Sequence, residues 1–600
     1  MSPRNSATSL LASAPLGPPG GAGPRLTARW IVSLEGRSET PRGHGPARYH
    51  SPVRGKWFPI LILASAQFVM VLDSSVMNVS ISQIVEDLDT TVAGVQLAIT
   101  AYTLVMAAFM LVGAKLGDIW GRDRAFAVGL AVYATGSFIT AISPSLAVLL
   151  FGWSLVEGLG AVLVIPAIAA LIAANYEGKD RALAYGIVGG VAAAAIAAGP
   201  LIGGFVTTYF SWRYVFIGEV VIVAVILLFR RRMQPSPRSE HPPRLDLVGA
   251  ALSAVGLAVI VFAILQSSSW GLIFSTGNPE INGRVIAPLG FSIVPFLVLG
   301  GLGILVAFAA WEGRQARRGR DRLLDLALLD IVHLRAGLSS LGVQQLVLLG
   351  TFFVLPVYLQ VVVGLDAFET GKKLIPMSAA MLAAALTGPR LAAGRSPRSV
   401  CQLGLISVAL GAVAILATLD VELNTVGFAI GMVLFGIGAG LLASQLGNVI
   451  MSAAPPAQTN EAGGLQGTAQ NLGASLGTAL IGAVLLIGLT EGFATTIEND
   501  QTLPVEMRTQ IAATARDTGL DVVPVSDVEA AATAAGLPPD QVAAVTTAYG
   551  EAQLQGLRLA LGAVALFSIL GLWFTRRLPA ASSMPEPADD RVTQPAPTTA

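Results

Sequence analysis

Long apolar stretches separated by short polar breaks recur along almost the whole chain. The first runs from about Trp57 to Ile81, and it can cross a bilayer as a helix, because a span needs about 20 residues. The same pattern predicts about fourteen transmembrane helices, and hence an all-α polytopic membrane protein. The predicted spans are 57–81, 94–114, 125–142, 146–174, 183–207, 213–232, 246–266, 287–311, 337–362, 372–393, 399–419, 424–451, 462–490 and 555–575.

Positive charge alternates between the connecting segments, and this alternation tests the number of spans. If the N-terminus is cytoplasmic, the cytoplasmic segments carry most of the arginines, whereas the 82–93 loop carries acidic residues and no base. This distribution follows the positive-inside rule, with Arg213, Arg284 and the pair Lys372 and Lys373 as exceptions. Removing one span from the count would move every later loop to the opposite side of the membrane and would destroy this agreement. The charge pattern therefore predicts an even number of spans and two cytoplasmic termini.

Three segments lie outside the predicted spans. Residues 1–56 and 578–600 are rich in proline and small residues, so they are predicted to be disordered cytoplasmic tails. No cleavable signal peptide is expected in the first tail, and a misassigned start codon is the alternative for residues 1–55. Residues 491–553 form a predicted outside loop with ten acidic and two basic residues. Its alanine-rich parts can form short helices, and we interpret it as a solvated spacer rather than a substrate-capturing cap.

The composition narrows the class of protein. The chain is 54% hydrophobic and only 12% charged, whereas soluble domains are about 25% charged. It has 37 basic and 37 acidic residues, so its net charge gives no reason to expect a nucleic-acid partner. Cys401 is the single cysteine, which excludes an intrachain disulfide. The preference for arginine over lysine, with abundant alanine and glycine, is typical of a GC-rich bacterium, so we expect a bacterial plasma membrane.

A short segment between the second and third predicted spans combines glycine, acids and bases. Residues 114–124 read AKLGDIWGRDR. An aspartate there can cap a helix or pair with arginine, and arginines can hold the carbonyls of a neighbouring helix end. Such a latch can break and re-form as helices rock, although membrane anchoring alone is the alternative. The segment resembles the G-x-L-x-D-r-x-G-r-r signature of the major facilitator superfamily. The predicted latch residues are Asp118, Gly121, Arg122 and Arg124.

The fifth predicted span carries a second motif, AGPLIGG at 198–204. Small residues four apart let helices approach closely, and a proline permits a bend. The motif resembles the antiporter signature G-x-x-x-G-P-x-x-G-G of facilitator exporters, with Ala195 in place of its first glycine. The resemblance implies that this helix takes part in the transport cycle, whereas simple packing is the alternative. The matching residues are Gly199, Pro200, Gly203 and Gly204.

The first predicted span carries the resemblance to one branch of this superfamily. Leu72, Asp73, Asn78 and Val79 match the L-D-x-T-I-V-N-V-A motif of the fourteen-helix drug:proton antiporter family. The resemblance covers roughly 57–490 and the last span. It implies two six-helix bundles with two extra transmembrane helices between them. The expected bounds are 57–232 and 337–575 for the bundles and 246–311 for the extra pair.

Three acidic residues lie inside predicted spans of the N-terminal half: Asp73, Glu157 and Glu219. A carboxylate at membrane depth costs at least ~2.5 kcal/mol on insertion scales. The related exporters usually carry arginine where this chain has Ser154, so the chain lacks an embedded positive charge. A carboxyl group that is protonated from one side and deprotonated to the other can carry antiport, and we predict this role for all three. Structural hydrogen bonding or pairing near a helix end is the alternative for each.

The C-terminal half offers amides inside its predicted spans in place of embedded charge. Gln344 lies in the ninth predicted span, and Gln466 and Gln470 lie in the thirteenth. Gln466 and Gln470 share a helical face with Gly473 and Gly477, and such a face usually packs helices. Amides among apolar neighbours also suit a large, mostly apolar ligand. We therefore predict a substrate cavity lined by these three glutamines.

Other classes of membrane protein fit the sequence less well. The 364–373 segment lacks the spacing of a phosphate-binding loop, and no channel filter motif is present. All four histidines lie outside the spans, so we expect no catalytic or metal-binding histidine cluster in the membrane; they are His44, His50, His241 and His333.

The embedded carboxyl groups and the resemblance to the drug:proton antiporter family together predict a proton-coupled exporter of amphipathic small molecules that works by alternating access. The direction, export rather than import, is implied by the resemblance alone. A dedicated metabolite or siderophore exporter, or a facilitator without proton coupling, is the alternative. We expect a monomer in the lipid bilayer that is not an enzyme, needs no cofactor and binds a small-molecule substrate and protons.

Overall fold

A computed structural model of the chain describes residues 57–580 except 177, 231–243, 272, 274–279, 282–283, 286–287, 393–394 and 456–457. The predicted tails at 1–56 and, beyond residue 580, at the C-terminus lie outside the described residues. Within these limits the chain is almost entirely helical, and one antiparallel pair of two-residue strands, Glu280–Ile281 and Arg284–Val285, interrupts the helices.

Fourteen helices of 17 residues or more account for the described fold. The first seven are α1 Phe58–Val79, α2 Val92–Trp120, α3 Arg122–Ala141, α4 146–175, α5 Gly178–Tyr209, α6 Arg213–Phe229 and α7 Leu247–Leu265. The other seven are α8 Val294–Arg317, α9 Val332–Val362, α10 Ala367–Ala392, α11 Pro397–Leu416, α12 Thr425–Ala453, α13 Thr459–Asn499 and α14 Pro539–Thr575.

Each predicted span coincides with one of these helices. Eleven are long and apolar enough to cross a membrane, and α5 makes twelve when its two parts, bent by 43°, count as one span. The remaining two are α6, with 17 residues, and α10, which carries Lys372 and Lys373. α6 packs along α3, and α10 packs between α5 and α12. The predicted all-α polytopic class is confirmed.

Short side chains cap several of these helices where the polar breaks of the sequence occur. Thr91 accepts a hydrogen bond from the Gly94 amide at the start of α2, and Asn424 accepts one from the Gly427 amide at the start of α12. The Asp246 side chain caps α7 through two amides. Each cap satisfies backbone N–H groups that have no partner inside the helix.

Two helices contain a π-helical turn. Residues Leu150–Glu157 of α4 and Tyr358–Val362 of α9 are wound in this wider form. Such turns are rare and often occur at functional sites. Both segments hold buried polar side chains, and the first belongs to the site described below.

The 491–553 segment is folded rather than extended. α13 runs nine residues beyond its predicted end, to Asn499, and α14 starts at Pro539, well before the predicted 555. Two further helices, Val505–Thr518 and Val525–Ala534, connect them. Arg516 pairs with Glu491 and Glu498, so an ion-pair network links this segment to α13. The predicted short helices are therefore present. In addition, α13 and α14 both extend beyond their apolar parts into this segment.

Candidate functional site: a buried carboxyl cluster

The three acidic residues singled out in the N-terminal half meet at one point. Asp73 lies on α1, Glu157 on α4 and Glu219 on α6, and one carboxylate oxygen of each lies within 4.8 Å of the others. All three residues are at most 1% exposed. The sequence identified each residue, but it gave no indication that they form a single cluster.

The π-helical turn of α4 and a glycine on α3 bring Glu157 into the cluster. Glu157 is the last residue of that turn. Gly136 of α3 packs directly on it, because a Cβ atom at Gly136 would lie 2.4 Å from the Glu157 backbone nitrogen. Only a glycine permits this approach of the two backbones. α3 also contributes two hydroxyl groups to the same cluster.

Neutral donors hold two of the three carboxyl groups. The indole N–H of Trp153 donates to both oxygens of Asp73, at 2.8 and 3.0 Å. The Ser137 and Tyr133 hydroxyls donate to Oε2 of Glu219, at 3.0 and 3.2 Å. Both oxygens of Glu157 and Oε1 of Glu219 are buried without a hydrogen-bond partner.

No ion pair between described residues involves the cluster. Two unit negative charges 4.8 Å apart repel each other by about 3 kcal/mol at an effective dielectric constant of 20. Burying an unpaired charge adds a desolvation cost. Protons or another cation bound to the carboxylate oxygens would offset this repulsion and this desolvation cost. The three oxygens are also close enough together to hold one metal cation.

The glycine motif of α5 packs on two different helices. A Cβ atom at Gly199 would lie 2.2 Å from Oγ of Ser75, and one at Gly203 would lie 2.9 Å from Val76. Both contacts are on α1, within one turn of Asp73. A Cβ atom at Gly204 would instead lie 2.4 Å from the Ala367 carbonyl oxygen on α10. The motif thus connects the helix that carries Asp73 with a helix of the C-terminal half.

A sequence profile described as the Major Facilitator Superfamily matches residues 63–478. The chain belongs to this superfamily. It is therefore a multi-pass membrane transporter for small molecules and not an enzyme. The family model covers α1 and most of the chain up to the middle of α13, including all three members of the carboxyl cluster.

Several curated facilitators are similar over most of this chain. The probable actinorhodin transporter of Streptomyces coelicolor is 28% identical over 80% of this chain and 80% of its own length. The puromycin resistance protein of Streptomyces alboniger is 30% identical over 73% of this chain and 83% of its own. The multidrug efflux pump LfrA of Mycolicibacterium smegmatis is 26% identical over 73% and 82%.

Solved facilitator structures share the fold. A bacterial homolog of the human lysosomal transporter Spinster, in an inward-facing and unoccupied conformation, has a TM-score of 0.57 at 14% identity. The similarity covers 88% of this chain and 98% of that one. At this identity the comparison establishes the common arrangement of helices and no residue role.

The facilitator signature between α2 and α3 forms a compact turn. Gly121 has φ +93°, a backbone conformation that suits glycine. Arg122 donates to the Ala170 carbonyl of α4 at 3.2 Å and lies 3.9 Å from Asp118. Arg124 is exposed. The Arg122 contact ties the start of α3 to α4, and the latch itself stays a prediction. Asp118 provides no cap, since Gly121 is the N-cap residue of α3 and no side chain caps this helix.

The three predicted cavity glutamines of this facilitator lie in different surroundings. Gln344 donates to the Ala439 carbonyl of α12 at 3.3 Å, beside a small, mostly apolar cavity between α9, α11 and α12. Gln466 is half-buried and Gln470 is exposed. Oε1 of Gln344 and of Gln466 is buried without a partner. No hydrogen bond in the described part of the chain joins the three.

Several cross-contacts escaped the sequence analysis. Gln96 of α2 donates to the Thr478 carbonyl of α13 at 3.0 Å. Gln360 of α9 donates to the Val79 carbonyl at 2.7 Å, and its oxygen accepts from the Ser82 amide at 3.2 Å. Gly371 of α10 packs on the Pro200 carbonyl oxygen, 2.2 Å from the position of a Cβ atom. A single amide side chain in an apolar span can be recognised in the sequence as a candidate for a contact between helices. Nothing in the sequence distinguishes Gly371 in this way.

Proposed function

We propose that this facilitator is a proton-coupled exporter of amphipathic small molecules. The observation that carries the proposal is the carboxyl cluster of Asp73, Glu157 and Glu219, which is buried and has no basic partner among the described residues. Such a cluster needs bound protons when it is closed from water, and it releases them when water or a cationic substrate reaches it. Proton binding then depends on the conformation of the protein, as antiport requires.

The contacts between the two halves support an alternating-access cycle. Val79, Tyr209 and Ala367 mark one end of the bundle, which the arginine pattern predicts to be the outer end. There Gln360 holds the end of α1, and Phe368 donates its amide to the Thr208 hydroxyl at 3.0 Å. These contacts join the two halves at this end. In our proposal they separate when substrate leaves and protons enter, and they re-form when the carboxyl groups are loaded.

The substrate class is inferred from two observations. The named relatives are transporters or resistance proteins for antibiotics and drugs. The C-terminal half adds amide groups to an apolar interior, and such a lining suits large ligands with few polar groups. We propose that the substrates are drug-like or natural-product compounds. In this proposal Gln344, Gln466 and Gln470 line the part of the site that contacts the substrate.

A dedicated exporter of one metabolite is the second candidate. It is favoured by relatives whose names refer to one compound, such as the tetracenomycin C resistance and export protein of Streptomyces glaucescens, which is 28% identical. A multidrug exporter accepts many unrelated compounds, whereas a dedicated exporter accepts one chemical family. A compound panel therefore separates the two candidates.

Transport in proteoliposomes tests the proposal. The purified full-length chain is reconstituted, a pH gradient is imposed, and uptake of cationic, neutral and anionic compounds is followed. We expect accumulation against a concentration gradient only when the pH gradient is present. Equal equilibration of every transported compound with and without the gradient would indicate a facilitator without proton coupling.

We further propose that the protein is a monomer in a bacterial plasma membrane, with both termini in the cytoplasm. Its two bundles comprise residues 57–232 and 337–575, and the extra pair of helices, 246–311, lies between them in the chain. In a Cys401→Ser background, single cysteines in the 312–336 segment should react only with reagents that cross the membrane. Labelling of this segment from outside by an impermeant reagent would overturn the orientation. The contacts of α7 with α8, α2 and α13 support this proposed position of the extra pair beside both halves.

A further inference from the structure

Trp153 is the residue that holds Asp73 in the carboxyl cluster. Its single indole N–H is shared between Oδ1 and Oδ2 of Asp73, at 2.8 and 3.0 Å. The side chain is 1% exposed. No sequence motif pointed to Trp153.

Two contacts with α2 fix the position of the indole ring. The ring stacks on Tyr102 of α2, with centroids 4.6 Å apart and planes inclined by 5°. The next residue, Ser154, donates to the Ala98 carbonyl of the same helix at 2.8 Å. These contacts tie the π-helical turn of α4 to α2. In this position the indole N–H points at Asp73.

A neutral donor acts on a carboxyl group differently from a positive charge. A hydrogen bond to a carboxylate favours the charged form, because the bond is stronger to the ionised group. The indole N–H does not titrate and carries no charge, so it does not hold Asp73 permanently ionised as an arginine partner would. The titratable groups around Asp73 are Glu157 of α4, Glu219 of α6, Tyr102 of α2 and Tyr133 of α3. All of them are neutral or negative.

We propose that Trp153 is a positioning residue that sets the pH range in which Asp73 exchanges its proton. The indole N–H offsets part of the repulsion from the neighbouring carboxyl groups, so it favours the ionised form of Asp73. The inference rests on the proposed proton coupling and extends it to a residue that neither transports a proton nor touches the substrate.

Trp153→Phe tests the inference, because phenylalanine keeps an aromatic ring against Tyr102 and removes only the donor. The protonated carboxyl band of the purified full-length protein is titrated by infrared difference spectroscopy, and the component lost in Asp73→Asn is assigned to Asp73. We expect the midpoint of this component to move to higher pH by about one unit in Trp153→Phe, which corresponds to about tenfold tighter proton binding. The pH profile of transport should shift in the same direction.

The chain offers matched controls. Trp212 is also fully buried, and its indole N–H donates to Asp87 at 2.9 Å, outside the cluster. Trp212→Phe therefore removes an equivalent bond without changing the Asp73 titration. Ser154→Ala removes the neighbouring hydrogen bond to Ala98 and reports on disturbance of the α4 turn. A shift in Trp153→Phe but in neither control supports the inference.

The outcomes separate this inference from the proposed function. An unchanged Asp73 midpoint in folded Trp153→Phe overturns the role of Trp153, even if transport of the wild-type protein is proton-driven. Equal shifts in Ser154→Ala and Trp153→Phe also overturn it, because they would trace the effect to the turn. Failure of the wild-type protein to use a pH gradient contradicts the proposed function instead, and the infrared titration still tests the hydrogen bond. If Trp153→Phe does not fold, Trp153→Leu, which also lacks a donor, is titrated in its place.

Discussion

The two halves of this transporter differ in how they place polar groups inside the membrane. The N-terminal half gathers Asp73, Glu157 and Glu219 into one buried cluster. The C-terminal half carries amides that are spread over α9, α12 and α13 and share no hydrogen bond in the described part of the chain. Carboxyl groups can gain or lose a proton, whereas amides can only donate and accept hydrogen bonds. The difference suggests a division of labour, with proton exchange in the first half and substrate recognition in the second.

Replacing the carboxyl groups should have the largest effect. Asp73→Asn together with Glu157→Gln removes two of the three titratable groups while preserving their shape. We expect pH-driven accumulation to be abolished and substrate binding to remain measurable. Asp87→Asn is the matched control, because Asp87 pairs with Arg213 away from the cluster. Unchanged pH-driven transport by the double variant would exclude both residues from the mechanism. It would also contradict the assignment of proton exchange to the N-terminal half.

A substitution in the glycine motif of α5 should have the second-largest effect on transport, because this motif packs on both halves. A leucine at Gly203 would clash with Val76 on α1, and overpacking of this kind costs about 1–3 kcal/mol. We expect folded protein with transport reduced more than about tenfold, since 1.4 kcal/mol corresponds to a factor of ten. Gly218→Leu on α6 is the control, because nothing lies within 4 Å of a Cβ atom there. Normal transport by Gly203→Leu would mean that this contact does not matter for the cycle.

Removing an amide from the C-terminal half should change substrate affinity without affecting coupling. Gln466→Leu deletes a polar group whose oxygen has no protein partner. We expect the apparent KM of polar substrates to rise by about fivefold, in line with one hydrogen bond of about 1 kcal/mol. The ratio of accumulation to pH gradient should stay the same. A loss of coupling in this variant would show that the two halves are not specialised.

Gln360→Leu addresses the contact between the halves and should have the smallest effect. It deletes the hydrogen bonds to Val79 and Ser82 at the predicted outer end. Two neutral hydrogen bonds contribute about 1–3 kcal/mol, so the open and closed populations should change while transport continues. Cysteines near residue 79 should react faster with impermeant reagents than in Gln345→Leu, a change on the same helix. Equal reactivity in the two variants would exclude Gln360 as a gate contact.

The sequence predicted the fold better than the site. Apolar runs and the arginine pattern locate the helices, because hydropathy and length are one-dimensional properties. The rotation of each helix about its own axis cannot be read from hydropathy or length. The sequence could therefore indicate Glu219 as a candidate without showing that it faces Glu157. The π-helical turn that ends at Glu157 has no marker in the residues that form it. The partner of Asp73, Trp153, and the packing of Gly371 on Pro200 likewise depend on contacts between distant segments.

Proton release on substrate binding tests the central claim most directly. The purified full-length protein is mixed, in weakly buffered solution near neutral pH, with a compound that the transport panel identifies as a substrate, and released protons are counted with an indicator dye. We expect substrate binding to displace protons from the wild-type protein and none from a variant with Asp73→Asn, Glu157→Gln and Glu219→Gln. Equal proton release by the wild type and this variant, or none by the wild type, would contradict proton exchange at the carboxyl cluster.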